Sequence, residues 1–444
     1  MLGWLIFLLG VGVSIGLHEI GHLLPAKAFG VKVTQYMVGF GPTAWSSRKG
    51  ETEYGVKWVP LGGYIRMIGM YPPARGADQT MLRASSTGRW STLIDDARQA
   101  SLEEVTPADA DRVFYKLPVR KRVVIMLGGP VMNLLLALVM FTLVISVIGT
   151  NQDLDGNHNL TNRVAAVVQC LPTTDNLGGD AAANGECAGS TATPAYAGGI
   201  EKGDVIVSVA GTSTPTWPEV QAAIRTAPTG DTVVVVDRDG QQVVLTVPLE
   251  AVERPVLDDA GTATGQTEKR NFLGVAPATE RLTQPVTAVP GYVWSVSVRA
   301  VTTIVTLPVR LWDLAVSTFT DAPRDNEGIV GPVGVGRITG EIVALSDTPV
   351  IDKTAYILSL LAGLNLFLFL FNLIPLLPLD GGHVAGALWE SIKRGWARLR
   401  RRPDPGPVDI AKALPVTYVV SIFLVGMGAL VLLADLIEPI TLNG

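Results

Sequence analysis

Charged side chains are scarce in this sequence: Asp, Glu, Lys and Arg make up 17% of 444 residues, hydrophobic types make up 48%, and the mean hydropathy is +0.34. That balance argues against an ordinary soluble protein. Positive charge is not in excess either, and the formal net charge of −5 points to acidic loops and to no nucleic-acid partner. Cysteine is nearly absent, with only Cys170 and Cys187, too few for a disulfide framework or a cysteine-based metal cluster. In an oxidising compartment those two can close one short loop. Histidine occurs four times, and two of the four fall within His18-Glu19-Ile20-Gly21-His22.

The apolar residues are concentrated in four stretches, 2–29, 123–149, 354–378 and 416–434, each near the ~20 residues needed to cross a bilayer. The middle two contain no charged residue. No Lys or Arg precedes the first stretch, which is also longer than the apolar core of a signal peptide, so it reads as a retained span. Basic residues orient the chain. Lys27, Lys32, Arg48, Lys49, Lys57 and Arg66 follow the first span, Arg120-Lys121-Arg122 abut the second, and Lys393 to Arg402 carry six cations before the last. Segments 30–122 and 384–414 are therefore expected inside. The amino terminus and the large segment 150–353 are expected outside, in a multi-pass protein of the cell (inner or plasma) membrane. The run before residue 403 reads as an anchor at the lipid surface.

Between the spans the pattern changes. Residues 31–74 alternate as short strands, 31–36 and 54–59, separated by Gly39-Phe40-Gly41-Pro42 and Pro60-Leu61-Gly62-Gly63-Tyr64, which predicts a membrane-associated β-hairpin region. Its edge would be available to hold an extended peptide. Residues 75–117 read as a cytoplasmic surface insertion, without an assigned role. Residues 160–250, with an extension to 277 left open, have the strand, helix and hairpin order of a compact β-rich peptide-binding module. Residues 289–320 are apolar but carry Arg299, Arg310 and Asp313, so they read as an interfacial amphipathic helix, or one broken at Pro308.

A helix repeats every 3.6 residues, so His18 and His22 share a face on which two imidazoles can hold one Zn²⁺, with Glu19 beside it. Two His leave the coordination sphere incomplete, and ionisable groups at membrane depth point to function. The third apolar stretch ends Asn372-Leu373-Ile374-Pro375-Leu376-Leu377-Pro378-Leu379-Asp380-Gly381-Gly382-His383. Like the first span it runs inward, so Asp380 should reach the depth of His22 on the cytoplasmic side. His383 is a rival ligand, and Asp380 is favoured because Pro375 and Pro378 with the Gly pair can unwind the helix and re-aim a side chain. Asn133, in Gly128-Gly129-Pro130-Val131-Met132-Asn133 of the second span, and Asn372 are candidates for packing or for supporting the site.

These motifs together resemble the site-2 protease family of intramembrane zinc metalloproteases. The Gly-Phe-Gly-Pro and Pro-Leu-Gly-Gly-Tyr elements are similar to those of its bacterial regulator-of-sigma-E-protease branch, and 160–250 is similar to a PDZ domain, with one such domain where some members have two. The resemblance implies a polytopic α-helical membrane protein of four transmembrane helices (1–30, 118–150, 354–383 and 415–437), the β-hairpin region and an extracytoplasmic PDZ-like domain. It implies Zn²⁺ held by His18, His22 and Asp380, with Glu19 as general base. It also implies single-span membrane substrates such as anti-sigma factors, trimmed beforehand by an upstream site-1 protease. The residues alone leave two other readings: a membrane zinc transporter or sensor, which gives Glu19 no task, and a catalytically silent PDZ scaffold.

Overall fold

Long apolar runs become long helices in the computed structural model, which describes residues 2–72, 105–151, 159–171, 191–257, 263–320, 328–346 and 348–440, with Ile94, Ser101, Cys187 and Arg324. Most of the 75–117 insertion lies outside the described residues. The chain divides into one unit of Met1–Ile148 with Pro285–Gly444 and another of Gly149–Gln284.

The first unit begins with α1 (Leu2–Ala28). Gly30, at φ 84°, ends it by letting the Val31 N–H return to the Ala26 carbonyl at 2.9 Å. Two strands follow, β1 (Val33–Lys49) and β2 (Thr52–Met67). The Gly-Phe-Gly-Pro and Pro-Leu-Gly-Gly-Tyr elements do not separate short strands, as the sequence reading expects, but lie within these longer ones. Positive φ at Gly39, Gly41 and Gly62 accommodates register shifts that fold the hairpin on itself. As a result residues 33–38 pair with 63–67 and also with 53–56. Next comes α2 (Val119–Thr142), continued by a π-helical turn at Leu143–Ile148. It lies against α1 so closely that a Cβ on Gly21 would strike the backbone of Gly128.

The second unit is built on a seven-stranded sheet. It contains β3 (Leu160–Val167), the short α3 (Pro194–Ala197), β4 (Val205–Val209), β5 (Thr212–Ser213), α4 (Trp217–Thr226), β6 (Gly230–Arg238), β7 (Gln241–Leu257), β8 (Ala263–Phe272) and β9 (Val275–Thr279). The strand order is β8-β7-β6-β4-β3-β9, with β5 on β4. Alternation along β6 turns Val234 and Val236 inward, where they meet Ile206, Val209, Trp217 and Val220. Because β9 pairs with β3, the unit runs past residue 250 to include Thr279. Cys170 and Cys187 form a disulfide, with Cα atoms 5.4 Å apart.

The first unit resumes with α5 (Val289–Phe319), α6 (Pro332–Ala344), α7 (Val350–Asn372), α8 (Asp380–Leu399) and α9 (Leu414–Ile437). Pro308 lies inside α5 without breaking it, so among the described residues five helical segments are, by length and composition, long and apolar enough to cross a membrane: Leu2–Ala28, Val119–Ile148, Val286–Phe319, Val350–Asn372 and Ile410–Ile437. The segment read as a basic connection is largely helical: α8 spans residues 380–399. A buried hydrogen bond pins α7 to α1, Asn365 Nδ2 donating to Ser14 Oγ at 2.9 Å, and Leu361 lies against Gly10 one turn earlier. The two helices therefore run parallel. A second buried pin joins α2 to α8, where Arg122 Nη2 meets Glu390 Oε1 at 2.5 Å.

In the second unit, Asp204 is 1% exposed and accepts from Arg238 Nε and Nη2 and from the Glu201 N–H, each at 2.9 Å. Burial alone would raise this carboxyl, but the guanidinium and the N–H outweigh it and hold it below the usual carboxylate range. A depressed carboxyl contributes stability above its unfolded value of ~3.9, and that stability is lost as pH falls through the folded value. Arg238→Ala should therefore destabilise this unit by about 3 kcal/mol at neutral pH. Amide exchange of β4, β6 and β7 in the full chain measures it, and unchanged protection would refute the pairing.

Candidate metal centre

Three side chains from distant parts of the chain converge in the first unit. His18 and His22 project from one face of α1, and Asp380 is the first residue of α8, beyond the turn of Leu373–Leu379 that ends α7. The Pro-rich segment thus stops one helix and starts another, and Gly381 and Gly382, expected to unwind, lie in the first turn of α8. A Cβ on Gly381 would strike the carbonyls of Leu373 and Ile374, so the tight return requires glycine there.

The donor atoms form a triangle. His18 Nε2 and His22 Nε2 are 3.2 Å apart, and Asp380 Oδ2 lies 3.5 Å from the first and 3.4 Å from the second. Around a tetrahedral Zn²⁺ with ligand bonds of ~2.0–2.1 Å, neighbouring donors stand ~3.3–3.4 Å apart, so these atoms match one face of the tetrahedron and leave the fourth vertex open. Among the described residues this is the group of His, Cys, Asp and Glu fit to hold a metal, and His383 lies outside it.

The surroundings orient the donors. His22 Nδ1 stands 2.7 Å from the Ile125 carbonyl oxygen of α2, so that nitrogen donates and Nε2 presents its lone pair to the cluster. Gly129, also on α2, faces both imidazoles: a Cβ there would collide with His22 Nε2 and lie 2.7 Å from His18 Nε2. Glu19 is buried beside the triangle, with its side chain against Gly63 in β2. Asn133 is buried one turn beyond Gly129, while Asn372 is partly buried at the end of α7. Ile125 and Ser14 escape a sequence reading because they act through a backbone carbonyl and a hydroxyl. The Gly-Gly-Pro run was the available signal for close approach.

A model of peptidase family M50 matches residues 6–402. The chain belongs to peptidase family M50. It is a zinc metalloprotease of the site-2 protease type, with Zn²⁺ as its cofactor. It is 33% identical over 446 residues to zinc metalloprotease Rip1 of Mycobacterium bovis, covering 99% of this chain and 98% of that protein. Rip1 of Mycolicibacterium smegmatis is 32% identical over 451 residues, with the same coverage of 99% and 98%. The regulator of sigma-W protease RasP of Bacillus subtilis is 24% identical over 439 residues, covering 87% of this chain and 89% of that one.

Because Gly129 leaves no room for a methyl group, Gly129→Ala should displace the imidazoles and lower the zinc content of the purified M50 protease well below one per chain. Val131→Ala, at an exposed position of the same helix, should leave it unchanged. Metal analysis of the two variants decides this, and full zinc in Gly129→Ala would contradict the contact.

Proposed function

We propose that this membrane protein cleaves the transmembrane segments of single-span membrane proteins, anti-sigma factors among them, with His18, His22 and Asp380 holding Zn²⁺ and Glu19 moving the proton. The observation that carries the proposal is the donor triangle, assembled from α1 and from the first residue of α8, just past the end of α7; α1 and α7 are both long apolar helices. The name of one relative supports a link to sigma-factor control: RasP of Bacillus subtilis is named a regulator of sigma-W protease.

Four crossings fit the packing. α1 and α7 run parallel, so an odd number of crossings must separate them, and α2 supplies one. The start of α5 meets α2 near its end, where Tyr292 lies 5.3 Å from the Phe141 ring. The end of α5 meets the end of α9, where Leu311 and Leu314 join Val431 and Ala434. If α2 and α9 both run outward, both ends of α5 sit at the outer level, and the helix lies along that surface. The basic residues support an orientation with the donor triangle toward the cytoplasmic side and the β-rich unit outside.

When bound, Zn²⁺ supplies Lewis acidity toward water and the scissile carbonyl. Glu19 accepts the water proton and returns it to the leaving amide nitrogen. A substrate helix keeps its carbonyls bonded internally and must be unwound before attack. Residues 63–67 pair with 33–38, and with no other strand among the described residues, and Gly63 lies beside Glu19. An extended substrate added along that margin would present its backbone to Glu19. The β-rich unit is read as PDZ-like. A cleft between α4 and the β8–β9 turn, lined by Trp217, Ile224, Asn271, Leu273 and Gly274, suits a peptide end trimmed by an upstream site-1 protease.

Glu19→Gln should keep its zinc and lose turnover by about 100- to 10,000-fold. Comparative membrane proteomics of cells carrying either form should show single-span fragments accumulating with the variant. Wild-type turnover by Glu19→Gln on such a fragment would sink the assignment.

A further inference from the structure

The helix α8 turns the wrong side outward for a helix in water. Its inward face carries Ala387, Glu390 and Ala397, with Glu390 fully buried against Arg122. Its outward face carries Leu388, Trp389, Ile392, Trp396 and Leu399, with Ile392 60% and Leu399 79% exposed. These five recur at helical spacing and form one continuous stripe opposite Glu390. A stripe of this size marks an interaction surface.

The flanking charge says what covers it. Between residues 384 and 402 stand Lys393, Arg394, Arg398, Arg400, Arg401 and Arg402, whereas the sole carboxylate, Glu390, is turned inward. Lys393 Nζ stands 5.5 Å from the centre of the Trp389 ring, and the Arg400 guanidinium stands 4.4 Å from that of Trp396. Cations are thus held over the indoles that border the stripe, as in helices that sink an apolar face into a leaflet and set Lys and Arg among headgroups. α7 and the segment Ile410–Ile437, both candidate spans, adjoin α8 in the chain.

We infer that α8 is a docking surface for the anionic headgroups and outer acyl region of the adjacent leaflet, and that this contact seats Asp380. The coupling follows from the chain, because α8 starts at Asp380 and Glu390 ties its inward face to α2, which carries Ile125 and Gly129. Bound lipid therefore holds the third donor against the two imidazoles. The coupling rests on the metal assignment made above, whereas the lipid contact does not.

The test uses the full chain in nanodiscs of phosphatidylcholine alone or mixed with phosphatidylglycerol. Amide exchange reads residues 384–402, and zinc release to a chromogenic chelator reads the site. In the anionic discs, exchange should slow roughly fivefold or more, the effect of even one Lys or Arg at an anionic surface, and zinc release should slow with it. The variant R398Q/R400Q/R401Q/R402Q should bind zinc in neutral discs as the wild type does but lose both responses. Equal exchange in the two lipids, or an undiminished response in the variant, overturns the lipid contact and leaves a protein partner or a second copy as occupant. Slowed exchange with unchanged zinc release overturns the coupling. Absence of zinc in every disc would count against the metal assignment, with the exchange result still deciding the lipid contact.

Discussion

Gly21 and Gly128 bring α1 and α2 to backbone contact, and the donor triangle depends on that approach. Separated by ordinary side chains, α2 could not present the Ile125 carbonyl to His22 or let Gly129 face both imidazoles. Small residues at a helix crossing are how apolar helices gain close packing where there is no hydrophobic drive between them. Here the crossing also organises polar groups, because the carbonyl of one helix selects the tautomer of a histidine on the other.

The remaining elements of this unit hold that crossing to its neighbours. Asn365 and Ser14 fasten α7 to α1 one turn before His18, and the tight turn after α7 returns the chain to Asp380. On the other side of α1, Tyr36 donates to the Gly16 carbonyl at 2.8 Å, and β2 passes over Glu19 at Gly63. The buried Arg122–Glu390 pair then ties α8 to α2. Buried ion pairs contribute little net stability against apolar replacements but are costly to break singly. This one suits a role in fixing where α8, and hence its first residue, sits.

Much of the secondary structure is legible locally. Alternation over 205–209 and 232–237 marks strands of the β-rich unit, and the uncharged runs at 123–149 and 354–378 mark long helices. The misread elements are those whose neighbours decide them. Gly39, Gly41 and Gly62 look like strand breakers but take up register shifts inside longer strands. Pro308 looks like a helix break, yet it costs one backbone hydrogen bond, which a 31-residue helix tolerates. The apolar stripe of α8 was readable in Leu388, Trp389, Ile392, Trp396 and Leu399, but the density of Lys and Arg around it dominated the pattern.

By itself the sequence determined the chemistry on offer: two imidazoles one helical turn apart, a neighbouring carboxylate, and a second carboxylate closing a distant apolar run. Those follow from helical periodicity and from the cost of placing ionisable groups at membrane depth, both local properties. Only the tertiary structure decided between Asp380 and His383 as the third member of the cluster, brought it within 3.5 Å of the imidazoles and laid β2 across Glu19. The reason is physical. Convergence across some 360 residues depends on backbone approaches at glycines and on buried polar pins, which link segments that no local pattern relates.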